Sequence, residues 1–280
     1  MTLITSRDPK GLQFVNLCEA VYNKAHLDNN RAQLLNERGG ELQDGLKKII
    51  EELTVNRYAD EEVKSNYSYL SGYKPKGITE QTNVLRQLFP GIGYANEKIA
   101  SQSVPEGAEG WFAIPKWQSI APTYSEAVQK VLDLIKKTRD GKFYNYREGQ
   151  LGPKNLRQSE KSANRFQKFS DEQKDYNILV VAAQFGILHR GRSVRRAREV
   201  MNADQFGFGA FAIGIMLLTH PERLQSYNDL WIDCAGDEFS LGAGDGFSEA
   251  PCFGFGGVGF DTRSVGSARG DCGSVSGFVG

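Results

Sequence analysis

No apolar run in this chain is long enough to cross a bilayer as a helix: the strongest, Phe206 to Leu218, is short and interrupted by glycine. Cysteine is scarce as well. Cys18, Cys234, Cys252 and Cys272 are all there are, and their spacing matches neither a CxxC redox motif nor a zinc site. The expected state is four reduced thiols, with a Cys234–Cys252 or Cys252–Cys272 bridge as the alternative. His26, His189 and His220 are the only histidines and lie far apart, so no histidine-based metal site is legible. Net charge is zero, with 34 Lys+Arg against 34 Asp+Glu, which excludes a global field for nucleic acid or membrane. The N-terminus, MTLITSRDPKG, lacks the apolar run of a secretory leader. A cytoplasmic location is therefore the default, display on a surface by another route being the alternative.

The last forty residues, Leu241 to Gly280, lack Lys, Asn, Gln, Tyr, Trp, Met, His and Ile, although the rest of the chain uses all of them. Twelve of these forty are glycine, against nineteen in the preceding 240, so the segment has a composition of its own. An apolar frame runs through it: Ala243, Phe247, Ala250, Phe253, Phe255, Val258, Phe260, Val265, Ala268, Val275 and Phe278. Between the frame residues lie Gly242, Gly244, Gly246, Ser248, Cys252, Gly254, Gly256, Gly257, Gly259, Asp261, Arg263, Ser264, Gly266, Ser267, Arg269, Gly270, Asp271 and Cys272. Randomising the adenines of Asn codons gives triplets of the form NNY, which encode every one of these gap residues and exclude Lys, Gln, Glu, Met and Trp. Glu249 is the one tail residue outside that set.

The N-terminal third reads helical. Asp8 and Pro9 supply an N-cap and a first-turn proline, and Leu42, Leu46, Ile49, Ile50 and Leu53 form a second apolar stripe. Residues 56 to 110 read as loops with short elements. From Trp111 a strand ending near Pro115 is expected, then a helix opened by the capping box Thr123-x-x-Glu126. A polar segment, Arg147 to Asn177, leads to a buried-type strand at Ile178 to Phe185. Ser193 to Met201 reads as a second helix; Phe208 to Leu218 and Leu230 to Cys234 read as strands. Phe253 to Phe260 then reads as a hairpin, with Phe253, Phe255, Val258 and Phe260 inward and Gly254, Gly256 and Gly259 facing solvent. Two helices and several non-repeating strands imply an α+β class. Substitution at Gly254, Gly259, Ser264, Ser267 or Asp271 is accordingly expected to leave stability nearly unchanged.

Three chemistry-bearing patterns compete with structural readings. Gly254-Phe-Gly-Gly-Val-Gly259 satisfies GxGxxG, but Phe260-Asp-Thr-Arg-Ser-Val-Gly is poor material for the helix that must hold a pyrophosphate. A glycine-lined strand is expected instead. The run Arg190, Arg192, Arg195, Arg196 and Arg198 could grip phosphates; a solvated helix face ion-paired to nearby acids is favoured. Asp233, Asp237 and Glu238 match no calcium loop, and helix capping, turn chemistry or a salt bridge is expected of them. No nucleophile signature or catalytic constellation emerges, so the chain reads as a non-enzyme with no cofactor and no metal.

The frame Trp231-Ile-Asp-Cys-Ala-Gly-Asp-Glu-Phe-Ser240, followed by A-x-x-x-F-x-x-A-P-x-F-x-F, V-x-F-x-T-x-x-V-x-x-A and Gly273-Ser-Val-Ser-Gly-Phe-Val279, resembles the variable proteins of diversity-generating retroelements, the archaeal, nanoarchaeum-type group above all. The resemblance is strongest over Asp204 to Gly280 and extends to Gly110–Arg198. It implies a C-type-lectin-like fold with two helices and mixed or antiparallel strands over residues 110–280. Residues 1–109 would be an N-terminal helical extension packed on that domain, and about 240–280 the variable region. The function implied is hypervariable ligand binding through the gap residues: Ser248, Cys252, Gly254, Gly256, Gly257, Gly259, Asp261, Arg263, Ser264, Gly266, Ser267, Arg269, Gly270, Asp271 and Cys272. The partner would be an unidentified protein or surface ligand. The tryptophan- and asparagine-centred calcium motif of animal C-type lectins is absent, so no calcium-dependent sugar site is implied. A nucleic-acid-binding accessory protein using Arg190 to Arg198 is the alternative reading.

Overall fold

The computed structural model describes residues 4–242, 246–254 and 258–279. The chain divides into two compact units, Met1–Arg57 and Tyr58–Gly280. This moves the expected division at residue 109 toward the N-terminus: residues 58–109 belong with the sheets, and only the first 57 form a separate unit.

The first unit holds α1 (Pro9–Lys24), α2 (Asn29–Glu37) and α3 (Gly39–Thr54). Pro9 occupies the first turn as expected, but the Asp8 carboxylate turns back to the amide and hydroxyl of Thr5 and makes no cap bond to the helix. None of the three helices contains a buried residue. Their apolar stripes, including Leu42, Ile49, Ile50 and Leu53 of α3, remain exposed.

The second unit is α+β. Its helices are α4 (Ile78–Leu88), α5 (Tyr124–Thr138), α6 (Glu160–Glu172), α7 (Val194–Val200) and α8 (Ala210–Thr219). Its strands are β1 (Gly110–Pro115), β2 (Phe143–Asn145), β3 (Leu156–Gln158), β4 (Ile178–Gln184), β5 (Gln205–Gly207), β6 (Trp231–Asp233), β7 (Asp237–Phe239), β8 (Glu249–Gly254), β9 (Val258–Ser264), β10 (Cys272–Ser274) and β11 (Ser276–Phe278). One sheet is antiparallel with strand order β1-β4-β11-β5. The other is mixed. β10 runs parallel to β6, β6 antiparallel to β8, β8 antiparallel to β9, and β2 parallel to β9. β7 joins β8 near its start and carries β3 outward.

Two expectations fail here. The segment Phe208 to Leu218 forms the helix α8 from Ala210 onward, not a strand, and the second unit has more than two helices among the described residues. All ten residues of α8 are buried, so it shows no polar face to mark a helical period. Its close partner is α5, whose capping box forms as read, with Val128, Val131, Leu132 and Ile135 turned inward. Gly214 makes the approach possible, since a Cβ there would lie 2.4 Å from a methyl of Val131. Each buried aliphatic side chain at this interface contributes roughly 1.5–3 kcal/mol.

The Trp231–Ser240 segment ties the layers together. The buried Asp237 carboxylate accepts the amide of Ala210 at 2.7 Å, satisfying one free donor at the start of α8, and the Tyr124 hydroxyl at 2.8 and 2.9 Å. Glu238 pairs with Arg157 at 2.7 Å, and Asp233 with Arg263 at 3.5 Å. Of the three roles expected of these acids, capping, turn chemistry and salt bridging, the first and the last both occur. Burial raises the pKa of Asp237 to about 7, against the opposing pull of the Ala210 amide and Tyr124.

Candidate ligand-binding face

Strand alternation builds the face from the hairpin of β8 and β9. Phe253 stands opposite Phe260, both fully buried, with ring centroids 5.2 Å apart in an edge-to-face contact. The neighbouring pairs, Cys252 with Asp261 and Gly254 with Gly259, point to the other side of the sheet, as does Arg263 opposite Ala250. From β6 come Trp231 and Asp233, and from β10 Cys272 and Ser274, each in register with its neighbour. β2, parallel to β9, brings Tyr144 beside Gly259. Tyr144 and Tyr146 are exposed, with ring centroids 4.6 Å apart.

The charges on this face are paired. Arg147 meets Asp261 at 2.7 Å, and Arg269 meets Asp271 at 2.5 Å. Arg269 also lies over the Trp231 indole, 4.9 Å from the ring centroid, and Tyr227 abuts the same ring edge-on at 5.7 Å. Burial pushes the Asp233 carboxyl up; the Arg263 charge opposes that shift and Asp271 adds to it. The four cysteines are free, and burial pushes the thiols of Cys234, Cys252 and Cys272 upward, away from the reactive thiolate. Among the described residues no group of three His, Cys, Asp or Glu could hold a metal ion, and no helix is long and apolar enough to cross a membrane.

The expected ligand-binding residues do not all lie in one place. Ser248, Ser264, Ser267 and Arg269 are exposed, while Asp261, Arg263, Gly266, Gly270 and Asp271 are half-buried. Ser264 alternates onto the Phe260 side at the end of β9, away from Arg263. Cys252, Gly254, Gly259 and Cys272 are buried, which corrects the expectation that Gly254 and Gly259 face solvent. Over Gly254 the cause is aromatic cover, since a Cβ there would sit 2.5 Å from the Trp231 indole; a Cβ on Gly259 would meet the Gly254 carbonyl first, at 3.0 Å, with the Tyr146 ring at 3.4 Å. The expected inward placement of Phe255 and outward placement of Gly256 lie outside the described residues, as do the ligand-binding candidate Gly257 and the side chain of Val258. Where a dinucleotide site would require a helix after Gly259, β9 continues through Phe260 to Ser264.

Arg195, Arg196 and Arg198 lie on α7, beside this face, and Arg190 and Arg192 precede it. Val194, Ala197 and Met201 cover Ala235 and Ala250. Arg195 binds Glu61, Arg196 binds Glu62 and Glu199, and Arg192 binds Glu62. Arg190 donates to the Tyr67 carbonyl, and Arg198 to the carbonyls of Ala235 and Asp237. Arg192, Arg195 and Arg196 are thus ion-paired to nearby acids, as expected, while Arg190 and Arg198 donate to backbone carbonyls. Sequence reasoning missed Tyr144, Tyr146, Arg147 and Tyr227. The alternation Tyr144-Asn-Tyr146 was the available signal for a strand with two aromatics on one face.

Comparison of the chain with protein-family models, curated proteins and solved structures gives no match.

Proposed function

We propose that this chain is a non-enzymatic, hypervariable ligand-binding protein of C-type-lectin-like fold, diversified by a retroelement and binding through the outer face of the mixed sheet. One observation carries the reading: the β8–β9 register separates Phe253 and Phe260, which fill the core, from Cys252, Gly254, Gly259, Asp261 and Arg263, which share the opposite face. A surface that must change while its fold persists needs that separation, because folding energy then comes from residues that contact no ligand. Among the expected ligand-binding residues the charged ones, Asp261, Arg263, Arg269 and Asp271, all have partners within the protein. Ligand contact falls instead to the exposed Ser248 and Ser267 and to Tyr144, Tyr146 and Tyr227 at the rim, aromatic residues of the kind that dominate binding hot spots.

Two variants sharing residues 1–240 and differing in the tail should select different ligands from a displayed peptide or protein library. Equal selection by both would refute the reading. The neighbouring DNA should also hold a near-copy of the tail-coding segment that differs only at adenines, beside a reverse-transcriptase gene.

A further inference from the structure

We propose that Asp233 is a fixed binding site for a guanidinium or ammonium group at the floor of the outer face. In this copy the chain's own Arg263 fills it. In copies with a small neutral residue at position 263, a cationic side chain of the ligand takes that place; this second half rests on the display reading above.

Asp233 is fully buried, and among the described residues neither carboxylate oxygen accepts a hydrogen bond. Ser274, its register neighbour on β10, is also fully buried with an unpartnered hydroxyl. A desolvated carboxylate without donors is strongly unfavourable unless a cation compensates it. The surrounding cations are allocated: Arg147 to Asp261 and Arg269 to Asp271. Compensation falls to Arg263, and its fit is incomplete. Its Nε stands 3.5 Å from Asp233 Oδ1 and makes no hydrogen bond, while its terminal nitrogens donate to the Cys272 thiol and the Ser267 carbonyl. A guanidinium arriving without a tether to β9 could meet both Asp233 oxygens side by side, the stronger geometry.

Position matters as much as charge. On the display reading, Asp233 belongs to the fixed Trp231–Ser240 frame and Arg263 to the changeable tail, so that a fixed acid lies under a changeable base. A neutral residue in place of Arg263 leaves a buried acid that must take up either a proton or a cation, at a place where the Arg263 side chain, 12% exposed, reaches the surface.

The test is the thermal midpoint of Arg263→Ala, measured with methylguanidinium chloride and, as controls, methylurea and sodium chloride. The variant should melt roughly 5 °C or more below the parent chain. Methylguanidinium should restore the midpoint saturably; neutral methylurea and sodium chloride should not. Asp233→Asn combined with Arg263→Ala should melt above Arg263→Ala alone and should not respond to methylguanidinium. Should Arg263→Ala fail to fold, the double variant still decides, because neutralising the acid removes the need for a cation. A double variant as unstable as the single one, or equal responses to methylguanidinium and sodium chloride, would overturn the proposal. Since the probe is a small cation, site occupancy is read independently of whether tail variants choose different ligands.

Discussion

Gly254 and Gly259 oppose each other in the hairpin; the Trp231 indole lies where a Gly254 side chain would go, and the Gly254 carbonyl crowds the place of one on Gly259. The tail positions therefore differ in tolerance. Gly254→Tyr should displace the Trp231 indole and destabilise by about 1–3 kcal/mol, the usual range for overpacking. Ser267→Tyr, in an exposed loop, should stay within about 0.5 kcal/mol. Denaturant melts of the two variants distinguish them, and equal sensitivity would refute the packing argument. Phe253→Ala and Phe260→Ala should each cost about 3–5 kcal/mol, as truncations of fully buried aromatics do. The frame was legible because a period of two survives in any strand. The cover on Gly254 was not, because Trp231 is distant in sequence and only strand register brings it there. Asp237 makes a prediction about pH. Its folded pKa of about 7 lies above the ordinary 3.8, so folding favours its protonated form. The stability it contributes is full below pH 3.8 and is lost as pH rises through 7. Against Asp237→Asn, the parent chain should lose midpoint steadily between pH 4 and pH 8. The depressed pKa values of the buried His189 and His220 act in the opposite direction and cancel in that comparison.

At the scale of elements, legibility followed periodicity. α5 carries both a capping box and a one-sided apolar stripe, and was plain in the sequence. α8 carries neither, and its run of Phe, Ile, Met and Leu fits a buried strand as well as a buried helix. α6 buries only Ser162 and Phe169, so its sequence showed a polar segment and no helical stripe. α7 was found, but its duty is clear only in three dimensions: it covers Ala235 and Ala250 and fastens Glu61 and Glu62 alongside the sheet. Arg198→Ala should therefore act on folding, costing about 1.5–3 kcal/mol for charged bonds to the Ala235 and Asp237 carbonyls. Neutralising Arg195, Arg196 and Arg198 together should lower the midpoint without changing which ligand a given tail selects. Salt-sensitive DNA or RNA binding that disappears with those arginines would instead favour phosphate recognition.

For the molecule as a whole, the division after Arg57 predicts that residues 58–280 fold without the first unit, since the buried core lies entirely among them. The shortened chain should give a single cooperative melt near the parent's midpoint, and a broad, non-cooperative melt would show that the first unit is needed. The placement of β11 has a different consequence. Ser276–Phe278 lies between β4 and β5, so a strand encoded downstream of the changeable residues closes the interior of the antiparallel sheet. A diversified gene that shifts its reading frame, or terminates early within the changeable stretch, cannot supply that strand. β4 and β5 would then present open edges, the kind of surface on which chains aggregate. If the gene is diversified as proposed above, folding proofreads the process, since only copies translated in frame through β11 can close this sheet. A chain ended after Asp271 should accordingly be insoluble or show no cooperative melt, whatever residues its face carries.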